Sequence, residues 1–321
     1  MATGAPNAIL AINSLDRYIT GRAAEPQQNA LIGAYLRFPN PPSNNFTIQS
    51  PGALIYGYID RIVVSQIQVQ CNIPTIVPDR NDTFFIGLNS TNVIHSVLIP
   101  YGFYVPEELA AMLQTQIAAV PALAAAEIDV SYNPTNGFIF ESKSVPSVNF
   151  YFPDNEKILN TPGQTSRTVS AALKFYKVLG MTSLNADLGA PGIDVQYSSS
   201  APNFLYTPYI DFYSDVLTNY QTIKDTNTSV AKPKGLIARV YLSGNGNVQS
   251  TTPTSALGTQ PFVVTADLNS PKVIKWSKDV AIPSIDFQLL DCYGDLIPGP
   301  DVQTYYPQTE FQMTLLCVEG E

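Results

Sequence analysis

The chain has 321 residues, 45% of them hydrophobic and 13% charged, with 17 basic against 26 acidic side chains and a net charge of −9. That is long enough for one large core, or a main domain with an insertion, and too apolar for a disordered polymer. The acidic balance excludes a surface built on phosphate contacts with DNA or RNA; Lys232-Pro233-Lys234 is the closest the chain comes to a basic run.

So few charges leave the surface to Ser, Thr, Asn, Gln and Tyr. Such a surface desolvates at low cost, because unpaired buried charge is what makes contacts unfavourable. It suits a subunit largely covered by neighbours, and composition alone fits a stable secreted β-protein equally well.

Residues 1–30 are small and polar with scattered apolar positions, and read as an arm. Ile9, Leu10, Ile12, Leu15, Tyr18 and Ile19 are apolar enough to bury on a partner, yet too few to make a core. A plain frayed terminus is the alternative. No basic start precedes a long apolar run, so no signal peptide is expected, and no apolar stretch is long enough to span a membrane. Residues 31–321 then read as one β domain.

Strict alternation marks its strands. Residues 65–73 (SQIQVQCNI) put Ile67, Val69, Cys71 and Ile73 on one face and Gln66, Gln68, Gln70 and Asn72 on the other. Residues 83–88 and 93–99 are further candidates. Residues 106–120 (PEELAAMLQTQIAAV) break the pattern with a helical stripe of Leu109, Met112, Leu113, Ile117 and Val120. Pro106 suits the first helical position, and Glu107 and Glu108 suit the positive end of the dipole. A hairpin follows, 128–132 and 138–141 around an Asn136-Gly137 turn. A second helix is predicted over 171–179, capped by Ser170 and stopped by Gly180. Residues 100–185 therefore read as an α+β module inserted in, or appended to, the β domain. Strands resume at 236–242, 262–268, 284–291 and 310–318. In the last two, Ile285, Phe287 and Leu289, then Phe311, Met313, Leu315 and Cys317, each share a face. The 26 prolines and Asn/Gly-rich breaks between many short strands point to a sandwich or jelly roll.

No catalytic constellation emerges. The single histidine, His95, alternates with Val93 and Val97 and reads as a hydrogen-bonded structural residue. There is no G-x-S-x-G, and no Cys or His pair at zinc-ligand spacing. Asp79-Arg80-Asn81-Asp82 is a loose cation loop without EF-hand spacing. Gly244-Asn245-Gly246 lacks the third glycine and the lysine of a phosphate loop. Asp211 and Asp215 would share a face if 211–220 were helical, and Asp286, Asp291 and Asp295 would meet near a turn. A two-carboxylate glycosidase site remains the alternative to solvated turn and cap acids. Cys71, Cys292 and Cys317 read as buried thiols, not a disulfide framework. The sequons at Asn45, Asn81, Asn89 and Asn227 read as chance matches in an Asn/Thr-rich chain. The expectation is a non-enzyme with no catalytic, cofactor or metal residues.

The order YGFYVPEELAAMLQTQI, SYNPTNGFIFES, LKFYKVLGM, then NSPKVIKWSKDVAIPSIDFQLLDCYGDLI and TEFQMTLL resembles the vertex (penton) and minor capsid proteins of virophages and of related polinton-like or large double-stranded DNA viruses. The resemblance spans roughly residues 50–318. It implies an all-β, single jelly-roll β-sandwich in the capsid shell of an icosahedral virion, forming homopentamers at the fivefold vertices. It also implies contacts with a double-jelly-roll major capsid protein and other minor capsid proteins. A minor or cement protein between capsomers is the structural alternative; a β-sandwich lectin or glycosidase is the alternative from another class.

Overall fold

Among the described residues, sixteen strands and four helices follow one another in the computed structural model. In chain order these are β1 Ala8–Asn13, β2 Asn45–Gln49, β3 Ile59–Cys71, β4 Thr83–Leu88, β5 Val93–Leu98, α1 Pro106–Ala119, α2 Pro121–Ala125, β6 Ile128–Asn133, β7 Gly137–Ser142, β8 Phe150–Tyr151, α3 Asn155–Leu159, α4 Ser166–Val178, β9 Gln196–Ser198, β10 Tyr209–Tyr213, β11 Leu236–Tyr241, β12 Val248–Ser250, β13 Phe262–Asp267, β14 Val273–Lys275, β15 Ser284–Leu290 and β16 Glu310–Glu319. The structure describes residues 8–16, 43–50, 52–55, 59–144, 148–181, 196–199, 202–219, 235–242, 248–250, 258–268, 272–277, 280–298 and 308–319. Two compact units result. The first comprises Met1–Ile73, Thr207–Ser255 and Pro261–Glu321; the second comprises Pro74–Tyr206 with Ala256–Gln260.

The first unit is a β-sandwich. Its larger sheet runs β1-β16-β3-β13-β12, with β14 also on β3, and its smaller sheet runs β11-β10-β15-β2. Every pairing in both sheets is antiparallel. The alternation of 65–73 places Ile67, Val69 and Cys71 in the core and Gln66, Gln68 and Gln70 outside. Upstream the phase slips: Val64 and Ile67 are both fully buried although three residues apart. A bulge causes this, since Thr314 pairs with Gln66 but Leu315 pairs with Val64, leaving Ser65 as the extra residue. Phe311 of the large sheet meets Phe212, Phe287 and Phe46 of the small one at centroid distances of 5.1, 5.5 and 5.9 Å. These rings join the two sheets through one core, at the aromatic spacings that favour tilted and edge-to-face packing.

The second unit packs two three-stranded sheets, β5-β4-β8 and β6-β7-β9, against helices around one aromatic core. Helix α1 buries Leu109, Leu113 and Ile117, with Met112 and Val120 packed at its margin. Glu108 Oε2 accepts from the Val105 N–H at its start. The Gln114 side chain clamps α1 to the hairpin: its Oε1 accepts from the Val130 N–H at 2.5 Å and its Nε2 donates to the Ile128 carbonyl at 3.2 Å. Phe84 and Phe175 stack at 5.3 Å, and the buried Tyr176 hydroxyl bonds both backbone groups of Phe85. Gly87 in β4 lies beneath the Tyr151 ring, where a Cβ would sit 2.2 Å from the ring.

Two boundaries differ from expectation. Helix α4 begins at Ser166, and Thr165, not Ser170, accepts from the Thr168 N–H as the cap. The threonine at the third helical position completes the cap, and the early turn is too polar to stand out by hydrophobic spacing. The helix does stop at Gly180, whose φ of 77° is left-handed. The second unit extends beyond 100–185 at both ends, because β4, β5 and the segment around Phe204 supply part of its core.

Candidate functional site

Residues of the expected arm fall partly on an edge strand. Ile9, Leu10 and Ile12 lie in β1, paired antiparallel with β16 from Ala8↔Cys317 to Asn13↔Gln312. Only Ile12 is buried; Leu10 is half-buried and Ile9 is 66% exposed. Leu15 follows in a short 3₁₀ turn, Ser14–Asp16, and is 49% exposed. Ser14 fastens that turn: its Oγ accepts from the Phe311 N–H at 2.9 Å and donates to the Glu310 carboxylate. Tyr18 and Ile19 lie outside the described residues. Pairing with β16 places Leu10 and Ile12 on the core side, because alternation along an edge strand turns every second residue inward.

Beside β1, the outward face of the large sheet is rich in amides, with the Asp267 and Glu310 carboxylates beside Gln66 and Gln70. Gln66, Gln68 and Gln70 of β3 stand next to Thr314 and Gln312 of β16 and Thr265 of β13. A hollow of about 160 Å³ opens among Asn13, Leu15, Gln68, Gln70, Val263 and Glu310. Its amides and one carboxylate can hydrogen-bond a partner but carry no nucleophile.

The small sheet carries a different group that the sequence reading did not single out. Arg239 of β11 forms a two-pronged pair with Asp211 of β10, at 2.6 and 2.8 Å. The guanidinium lies 3.9 Å over the Tyr209 ring, which meets Tyr241 edge-on at 5.9 Å. The alternation of YIDFY and LIARVY could have shown it, since Asp and Arg occupy the polar phase of two neighbouring strands. Strand geometry also corrects the Asp211/Asp215 reading: Asp211 lies in β10, so no helical face brings the two together.

The remaining chemical candidates are occupied by structural tasks. Asp286 accepts from Ser214 Oγ and from the N–H groups of Asp215 and Val216. Asp291 closes its own turn by accepting from the N–H groups of Tyr293 and Asp295. In the 79–82 loop, Asn81 bonds Val77 and Thr75, Asp82 accepts from the Asp79 N–H, and Asp79 pairs with Arg167 at 3.1 Å. Among the described residues no cluster of His, Cys, Asp or Glu is arranged to hold a metal ion. His95 is half-buried on β5, and its Nε2 finds no hydrogen-bond partner among the described residues, unlike the bonded histidine expected. Val93 and Val97, two residues away on either side, and the cross-strand Ile86 offer its ring nothing to bond. Cys71 and Cys317 are buried free thiols, while Cys292, two residues past β15, is only half-buried.

No protein-family model matches the sequence, and no curated protein matches it. Solved structures do. The fold is similar to that of the mavirus penton protein. Its crystal structure aligns over 97% of this chain and 97% of its own, with a TM-score of 0.50 and 13% identity. A chain of the cryo-EM structure of the Sputnik virophage aligns over 98% of each chain at 12% identity, with a TM-score of 0.42. The two-sheet unit is thus a jelly-roll β-sandwich, as expected from the strand pattern.

Proposed function

We propose that the protein is a structural subunit of a virus shell, a penton-type capsid protein that forms pentamers at fivefold vertices of an icosahedral virion. The observation that carries this reading is the alignment with the mavirus penton protein from end to end of both chains, sandwich and second unit together. A chance likeness between sandwiches would cover the sheets and leave the second unit unmatched. The chemistry of the surface agrees. A ring of five uses one contact repeated between two different flanks of each subunit, and weakly charged flanks desolvate at low cost. The large sheet offers amides and the small sheet offers Tyr209, Tyr241 and Arg239, residue types that anchor interfaces. Of the carboxylates that a glycosidase would need, Asp211, Asp286 and Asp291 are held by arginine, hydroxyl or backbone donors. In a complete shell the subunit would contact a major capsid protein and other minor capsid proteins.

The test is native mass spectrometry of the purified chain, followed by its position in a particle reconstruction. Five-subunit rings and density at the fivefold axis are the expected results. A monomer that binds glycans on an array would refute the reading in favour of a lectin. Density between capsomers away from the fivefold axis would replace the penton by a cement protein.

A further inference from the structure

We infer that β1 is an exchanged strand: in the assembled ring it pairs with β16 of the neighbouring copy, not with β16 of its own chain. The inference rests on the ring proposed above and names the contact that would hold it. Both halves of the contact are described in the structure. The seat is the edge of β16 that β1 occupies, on a ten-residue strand whose other edge is held by β3 along its length. The occupant is Ala8–Asn13, in a register of six residue pairs, followed by the Ser14 turn that fastens onto Phe311 and Glu310.

Three features suit this strand to exchange. It adds little to its own sandwich, since Ile12 is its one buried apolar side chain and Ile9 is 66% exposed. The hydrogen bonds it makes are to the backbone, so an identical seat on another copy satisfies them equally. Between the turn ending at Asp16 and β2 starting at Asn45, the chain has a contour length of roughly 90 Å, several times the width of a sheet, so its length permits either seat. Exchange around a closed ring makes each copy both donor and acceptor, a heterologous contact that leaves no seat on β16 empty. The exposed Leu15, next to the amide-lined hollow, then lies at the junction of two subunits.

A disulfide reads which chain supplies the strand. Ala11 and Thr314 are cross-strand partners on the outer face. Antiparallel partners have Cα atoms about 4.5–5.5 Å apart, within disulfide range. The Ala11→Cys/Thr314→Cys variant of the full chain is assembled, its mass measured, then oxidised and run on a denaturing gel without reductant. Each single-cysteine variant controls for Cys292. Exchange predicts pentamers whose chains run as covalent ladders up to five. Pentamers whose chains run as single, internally bridged species overturn the exchange and leave the ring standing. Monomers before oxidation overturn the ring, and the exchange with it.

Discussion

Phe311 is the residue on which the sandwich converges, because it meets three rings of the opposite sheet while facing inward from the middle of the large one. Truncating it or Phe287 to alanine removes a ring from a filled core and should cost about 3–5 kcal/mol. A denaturant titration showing less than about 1 kcal/mol would mean the two sheets do not share that core. The cysteines make a second expectation. Burial pushes the Cys71 thiol up to about 12 and the Cys317 thiol up to about 11, and the thiolate is the reactive form. One thiol, Cys292, should therefore react with a disulfide reagent in the native protein, and all three after unfolding. Equal reaction of all three in native buffer would contradict the packing of β3 and β16.

Elements differ in how much they depend on context. Helix α1 has the apolar stripe, proline start and acidic first turn of a helix on any scale of description. Its attachment to β6 depends on the Gln114 side chain, which replaces a missing neighbouring strand for Ile128 and Val130. Gln114→Ala should leave those backbone groups without their partner and cost about 1–3 kcal/mol. Faster hydrogen exchange at Val130, with α1 still helical, is the expected signature; unchanged exchange would show the clamp to be idle. Strand β1 is the opposite case. Removing residues 2–16 should lower stability by about 2–5 kcal/mol, several degrees in Tm, because one buried isoleucine, the β1 ladder and the two Ser14 bonds are lost. Failure of the truncated chain to fold would make β1 part of the folding core.

The whole molecule couples burial of its weak acids to alkaline pH. Burial raises the Cys71 thiol to about 12 and, with nearby Cys292 and Asp291, raises the Tyr293 hydroxyl to about 12. For both groups folding favours the neutral form. The stability they contribute is therefore complete below their unfolded values, about 8.5 and about 10, and is lost as pH rises toward about 12. The denaturant midpoint should be level near neutrality and fall above about pH 9; a midpoint that held level to about pH 11 would remove the burial argument. At the same scale, the amide-rich outer face of the large sheet and the Arg–Tyr group of the small one give the sandwich two chemically different faces.

By itself the sequence determined the periods. Two-residue alternation placed Ile67, Val69, Phe287, Leu289, Phe311 and Leu315 in a sheet interior, and all six are buried. The helical stripe of α1, the hairpin turn and the stop at Gly180 were legible for the same reason: each is written within a few consecutive residues. Features that depend on residues far apart in the chain leave no such local mark. The bulge at Ser65 follows from the pairing of β3 with β16, some 250 residues away, so no local pattern announces it. Short strands such as β8 and β14 hold too few residues to show a period, and form because a neighbour supplies the hydrogen bonds. The Asp211–Arg239 pair required β10 and β11 to be adjacent and in register. The place of Ile9, Leu10 and Ile12 was set by an edge of β16 at the other end of the chain, because an edge strand gains its order from the backbone it joins and not from its own side chains.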